Sequence, residues 1–237
     1  MRADASTLHR ADLPTVAAIH RLEVTRPAVV LGSTQPDDVV DVGAVHARRA
    51  DLVRRRSGGG VVVLGRDDHL WVDMVVPRDH ALWHDDVARA SWWVGEAWCE
   101  ALHAAGVRGD LAVHRGGAQL PAAERTLCFF DLGAGEVTHD GRKLVGIAQR
   151  RSRRAARFQC VVYERFDAAE HFAVLRRPVP WPATQAATDL RAAGPGVDSV
   201  VNAVWQNLRR IVVDRLGSGD GGGWRGEKWG EMVDSGG

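Results

Sequence analysis

Lysine is nearly absent from this chain. Of its 31 basic residues only two are lysine, Lys143 and Lys228. Lys228 lies in the glycine-rich run that ends the sequence, so a single lysine is expected in the folded body. Cysteine is scarce as well. Cys99, Cys128 and Cys160 are odd in number, widely spaced and outside any CxxC pair, which excludes a disulfide framework and a structural zinc site. Excess charge is missing too: 31 Lys+Arg stand against 30 Asp+Glu, a net charge of +1. Nothing therefore draws the whole molecule toward nucleic acid or a membrane, and any anion must be met locally. No apolar run reaches the length of a transmembrane helix, and MRADASTLHR lacks the apolar centre of a signal peptide. These absences predict a soluble cytoplasmic protein that binds neither nucleic acid nor membrane.

What is present can fill one sizeable core, since 45% of 237 residues are hydrophobic. One domain is expected over residues 1–216. The tail, 217–237, is too rich in glycine to bury enough surface to fold. Leu13, Val16, Ala17 and Ile19 predict a short helix within Asp12–Val24. PAVVLG at 27–32 predicts a buried strand, and VVVL at 61–64 with LWVDMVV at 70–76 predict a hairpin through GRDDH. Apolar residues from Trp83 to Ala105 recur at helical spacing, with Gly106 at the stop. Short strands are expected at 111–113, 126–130, 144–148 and 158–163. A proline- and alanine-rich connection, 176–196, then leads to a last helix over Asp198–Leu216. Many strands and few helices without βαβ alternation indicate an α+β fold, a mixed, largely antiparallel sheet flanked by helices.

Two stretches carry chemistry. In VRRRSGGGVVV, residues 53–63, three glycines bare the backbone to a ligand, and Arg54, Arg55 and Arg56 offer forked donors to a phosphate or carboxylate. In HDGRKLVGIAQRR, residues 139–151, Asp140-Gly141 signals a tight hairpin that starts a strand at Lys143. A lysine there can stabilise a developing carbonyl charge, as acyl transfer requires. Gly146 inside that strand marks a close approach by a ligand or another backbone.

Taken with the stretch CFF between them, these two motifs resemble the signature of the lipoate-protein ligase A family, within the larger group of biotin and lipoate protein ligases. The likeness runs from about Pro27 to Val162. It implies a biotin/lipoate ligase-like, class II synthetase-like catalytic domain with Lys143 as the catalytic residue. It further implies that Arg56, Ser57, Gly58, Gly59 and Gly60 line an acyl-adenylate pocket bordered by Gly146, Ala148 and Gln149. Such enzymes use ATP and Mg2+ to activate lipoate or octanoate as acyl-AMP. They then pass the acyl group to a lysine of a lipoyl carrier domain or a glycine-cleavage H-type protein. Asp73 and Asp140 are candidates for the metal, but such residues are more often surface or turn aspartates, so no metal ligand is assigned.

The chain departs from the family pattern at three places. Leu64 stands where the family has histidine, and Gln159-Cys160-Val161 replaces the usual Gln-His-Gly. After the last helix too few residues follow for an accessory domain, so a separate accessory subunit is an expected partner. The ATP-dependent ligase is the favoured expectation. One alternative is an ATP-independent octanoyltransferase forming a thioester on Cys160, although Cys160 in FQCVVY and Cys128 in TLCFF both sit in apolar text where an inert buried cysteine is the commoner finding. The other is a non-catalytic paralogue that binds acyl groups or nucleotides.

Overall fold

Alternating side chains divide the chain between two sheets. The computed structural model describes residues 1–12, 15–121, 124–179, 187–194 and 197–217. The larger sheet has seven strands: β1 (Arg2–Ala3), β2 (Ala18–Val24), β6 (His69–Pro77), β7 (Leu111–Val113), β8 (Val137–His139), β9 (Arg142–Arg151) and β10 (Ala155–Tyr163). Their order is β1-β2-β6-β10-β9-β8-β7, antiparallel throughout except for the parallel pair β1 and β2. The smaller sheet is formed by β3 (Ala28–Leu31), β4 (Asp51–Arg54) and β5 (Val62–Leu64), in the order β4-β3-β5.

The central strands β6 and β10 are covered on both faces. On one, Val72, Met74 and Val76 of β6 and Ala156, Phe158, Cys160 and Val162 of β10 share a core with two helices. These are α3 (Trp92–Ala104), which contributes Val94, Ala97, Trp98 and Ala101, and α6 (Val197–Gly217), which contributes Val204, Leu208 and Val212. On the other face Trp71 and Tyr163 pack against Val30, Val53, Val62 and Leu64 of the smaller sheet. This period of two places neighbouring residues such as Gln159 and Cys160 in different environments. In chain order α2 (Val42–Ala47) joins β3 to β4, α4 (Ala168–Phe172) follows β10, and α5 (Leu190–Ala193) precedes α6.

One buried ion pair fixes the N-terminal helix, α1 (Ala5–Arg10), against the larger sheet. Arg157 on β10 meets Asp73 on β6, Nε to Oδ2 at 2.5 Å, while Trp71 Nε1 donates to Asp73 Oδ1 at 2.8 Å. The same guanidinium donates to the carbonyls of Leu8 at 2.9 Å and Ala11 at 3.2 Å, which closes the end of α1. Arg157→Ala leaves Asp73 buried without its partner. A loss of about 3–5 kcal/mol is therefore expected in urea unfolding.

Four expectations are corrected. The segment read as a helix at 12–24 forms β2 from Ala18 onward, and positions 13–14 lie outside the described residues. Leu22 and Val24 alternate inward there, and pairing with β6 outweighs the helical spacing seen upstream. The strands around GRDDH do not pair with each other, because β5 pairs β3 in the smaller sheet while β6 pairs β2 and β10. TLCFF is not a strand but a single bridge from Leu127 to Val61 followed by a 3-10 turn at Cys128–Phe130. The helix expected from Trp83 begins at Trp92. Residues 180–186 and 195–196 of the proline-rich connection and the tail from 218 onward lie outside the described residues.

Candidate active site

The Asp140-Gly141 turn sets the position of Lys143. Both residues have positive φ, 49° and 75°, the conformation of a two-residue hairpin. The register puts Thr138 opposite Lys143, with an irregularity at Val137/Thr138 beside it. Lys143 is buried, 2% exposed, yet its ammonium is fully engaged. Nζ lies 2.7 Å from Glu136 Oε2 and donates to the carbonyls of Cys128 at 2.8 Å and Asp131 at 2.9 Å. The Cys128 thiol is 3.9 Å away and the Phe129 ring 5.1 Å. Burial alone would lower the lysine pKa, but Cys128, Glu136 and Asp131 together outweigh it, and the pKa is raised.

Glu136 is held as firmly as the lysine. Its Oε2 also accepts from Gly133 N–H at 2.6 Å and its Oε1 from Ile147 N–H at 3.0 Å.

The glycine run forms the facing wall. Arg55 is buried, and its Nε and Nη2 donate to Gly58 O while Nη2 also donates to Gly60 O at 2.9 Å. Gly59 has φ of 100°, and a methyl there would lie 2.7 Å from Arg55 Nη2. At Gly60 a methyl would lie 2.6 Å from Cys128 N, so only glycine lets the loop touch the Cys128 turn. Cys128 N–H in turn donates to Val61 O at 3.0 Å.

Two pockets meet at this point. An open cleft of about 460 Å³ is lined by Gly58, Gly59 and Gly60 on one side and Glu136, Lys143 and Gln149 on the other. A narrower, apolar pocket runs between the two sheets among Val30, Val62, Leu64, Trp71, Phe129 and Val161. Cys128, Ile147 and Ala148 line both. A ligand with a polar head and a hydrocarbon tail fits this shape, head in the cleft and tail between the sheets.

The expected site residues divide accordingly. Lys143, Gly58, Gly59, Gly60, Ala148 and Gln149 line the cleft, and Gly146 lines the apolar pocket. Ser57 is instead a brace, its Oγ donating to Gln159 Oε1 at 2.9 Å. Arg56 points away: it is exposed, with Asp12 3.7 Å from it, and lines neither pocket. The extended chain alternates at this point, so Val53 and Arg55 turn inward and Arg56 outward, and Arg55 takes the place expected of Arg56. Cys160 faces the helices with 0% exposure, and burial pushes its thiol pKa up, so no acyl donor can reach it. Asp73 is consumed by Arg157 and Trp71, and Asp140 accepts from Asp110 N–H at 2.9 Å. Neither fits a magnesium site, and no group of three or more His, Cys, Asp or Glu among the described residues is placed to hold a metal.

Comparison with known proteins decides the family. A family model described as the lipoyl protein ligase A/B catalytic domain matches residues 2–208. The chain belongs to that family. A curated relative of this A/B catalytic domain is the octanoyltransferase LipM of Moorella thermoacetica, 30% identical over 154 residues, which are 64% of this chain and 55% of that protein. The chain thus spans about half the length of that relative. Among solved structures, a lipoate-protein ligase A bound with ATP superposes with a TM-score of 0.66 at 19% identity, covering 85% of this chain and 73% of that one. The bipartite lipoate protein ligase of Thermoplasma acidophilum, described with its E2 lipoyl domain, gives 0.60 at 17% identity, covering 83% and 71%. These structures share the A/B domain's fold. No helix among the described residues is long and apolar enough to cross a membrane.

Sequence reasoning gave Glu136 and His9 no role. His9, on α1, lines the apolar pocket, and its Nδ1 lies 3.2 Å from Gln159 Nε2. Burial, then the charges of Arg55 and Arg157, lower its pKa to about 3, and burial with the N-terminal amine and Arg157 lowers that of His20 to about 4. Both folded values lie below the ordinary 6.5, so the unfolded chain binds more protons in between. Their stabilisation is complete above pH 6.5 and is lost as pH falls toward 4. The slope approaches roughly 1.4 kcal/mol per pH unit for each. Asp73, raised by burial from 3.8 to about 6, acts in the opposite sense over that window and offsets one imidazole. Urea midpoints between pH 7.5 and 4.5 should therefore fall, and His9→Gln should flatten the fall.

Proposed function

We propose that this chain is an ATP-independent acyltransferase that carries a medium-chain acyl group, octanoyl, as a thioester on Cys128 and passes it to a lysine of a carrier domain. The observation that carries this reading is the place of Cys128: its sulfur is 3.9 Å from Lys143 Nζ, at the border shared by the apolar pocket and the open cleft. A tail held between the sheets would put the acyl carbon at that border. Cys128 Sγ attacks the donor thioester, the bond to the donor sulfur breaks, and the donor leaves as a thiol. The target lysine's amine then attacks the Cys128 thioester, giving an amide and the free Cys128 thiol. The positive charge of Lys143 beside the sulfur, acting through space because its three hydrogens are committed to Glu136 and two carbonyls, would favour the negative charge on the carbonyl oxygen in both steps. The similarity to an octanoyltransferase supports this reading.

A second reading is the ATP-dependent lipoate ligase, favoured by the breadth of the cleft beside the glycine run and by the ATP-bound ligase of similar fold. Asp73 and Asp140, engaged by other groups, do not fit the magnesium that such a ligase uses.

Intact mass after incubation with an octanoylated carrier protein, with and without Mg-ATP, separates the two. An octanoyl adduct without ATP, removed by hydroxylamine, is expected. Pyrophosphate release dependent on free octanoate or lipoate, with no adduct, would overturn the transferase reading in favour of the ligase.

A further inference from the structure

An enzyme that delivers acyl groups to lysine amines carries a hazard when its own lysine lies 3.9 Å from the acylated sulfur. An unprotonated Lys143 amine would attack the thioester carbon, the C–S bond would break, and Cys128 would leave with the proton that Nζ releases. The product, an amide on Lys143, would be stable and the enzyme dead.

We propose that Glu136 is a positioning residue that keeps Lys143 from becoming an acyl acceptor, so that the amine of the incoming carrier alone is acylated. Three observations support this. The carboxylate accepts from the ammonium at 2.7 Å with both groups buried, 2% and 4% exposed in their side chains, so solvent barely screens the pair. Glu136 cannot follow the lysine elsewhere, because Gly133 N–H holds Oε2 and Ile147 N–H holds Oε1. The other two ammonium hydrogens are directed at the Cys128 and Asp131 carbonyls, so the charged group offers the nearby sulfur's acyl carbon no lone pair. The groups that act on Lys143 are Glu136 from the approach to β8 and Cys128 and Asp131 from the 3-10 turn and its end; Arg55, from the glycine loop, acts on Cys128 and Glu136 in turn. The raised lysine pKa agrees with the geometry.

The inference rests on the thioester reading for its consequence but not for its test. Lys143 and Lys228 are the chain's two lysines, so peptide mapping after acetic anhydride labelling reads each amine separately. In wild type, Lys143 should stay unlabelled from pH 7 to 10 while Lys228 labelling rises. Glu136→Gln should raise Lys143 labelling roughly tenfold or more, and Glu136→Asp should restore part of the protection. With an octanoyl thioester donor, the glutamine variant should accumulate an octanoyl group on Lys143 that resists hydroxylamine.

Equal labelling of Lys143 in wild type and variant, or a wild-type pH profile parallel to that of Lys228, would overturn the proposal. The wild-type profile needs no variant to fold. If wild type forms no adduct on Cys128 while Glu136→Gln still unmasks Lys143 toward anhydride, the transferase reading falls and the role of Glu136 stands.

Discussion

Cys128→Ser should abolish the hydroxylamine-sensitive acyl adduct and lower acyl transfer by on the order of 10³-fold or more. A serine hydroxyl in the same place keeps the hydrogen-bonding pattern but loses the nucleophile, and nothing nearby is arranged as its base. The lysine 3.9 Å away is protonated and saturated by Glu136 and two carbonyls. The contrasting variant is Cys160→Ala. It removes a small side chain from the core between β10 and the helices, so it should cost about 1 kcal/mol or somewhat more of stability and leave the adduct intact. An adduct that survived Cys128→Ser and vanished with Cys160→Ala would reverse the assignment. Trapping by mass spectrometry of the modified peptide makes the distinction direct, because the two cysteines lie in separate strand and turn segments.

Lys143→Met should have the next largest effect, a loss of about 10²–10³-fold in the rate of acyl transfer, the scale seen when one group stabilising an oxyanion is removed. The same change strands Glu136, whose carboxylate would remain buried with only two backbone N–H donors. A parallel loss of about 3–5 kcal/mol in stability is therefore expected. The two effects separate in the double variant Lys143→Met/Glu136→Gln, which removes both charges. Its urea midpoint should recover most of the way to wild type, while its transfer rate should stay as low as that of the single variant. If the double variant regained activity along with stability, the lysine would be serving the fold and not the chemistry. Lys143→Arg is not a rescue, since a planar guanidinium cannot place its donors on Glu136 and on two carbonyls of one turn.

Much of this site could be read from the sequence because its signals are local. Asp140-Gly141 specifies a hairpin whatever surrounds it, and a lone lysine just beyond it stands out in a chain built on arginine. Three consecutive glycines likewise announce a close approach, and Gly60 does touch the Cys128 turn. The residues that escaped depend on contacts distant in sequence. Cys128 and Cys160 both sit in apolar text, and only pairing separates them: Cys160 falls on the helix-facing side of β10, whereas Cys128 follows the single bridge of Leu127 to Val61 and starts the 3-10 turn that lines the cleft. Glu136 looks like any acidic residue before a turn. Its importance comes from Lys143 seven positions on and from Ile147 beyond. His9 reaches the pocket from α1, a helix that the sequence reading did not include, and the strand that followed it was taken for a helix instead. The hairpin expected at GRDDH failed for a related reason, since a turn signal gives the reversal of the chain but not which sheet receives the next strand.

The boundary between the two sheets gives this domain a division of labour. Lys143, Gly146, Ala148 and Val161 stand on the seven-stranded sheet, while Val30, Val62 and Leu64 press on the tail pocket from the three-stranded one. Reactivity and measurement are thus assigned to different pieces of architecture, joined at the glycine run. Changes on β3 and β5 can lengthen or shorten the slot like the movable jaw of a caliper, while the fixed jaw keeps its chemistry. A lineage using this fold can therefore change the acyl group it accepts in small steps, with no intermediate that must rebuild the machinery of transfer.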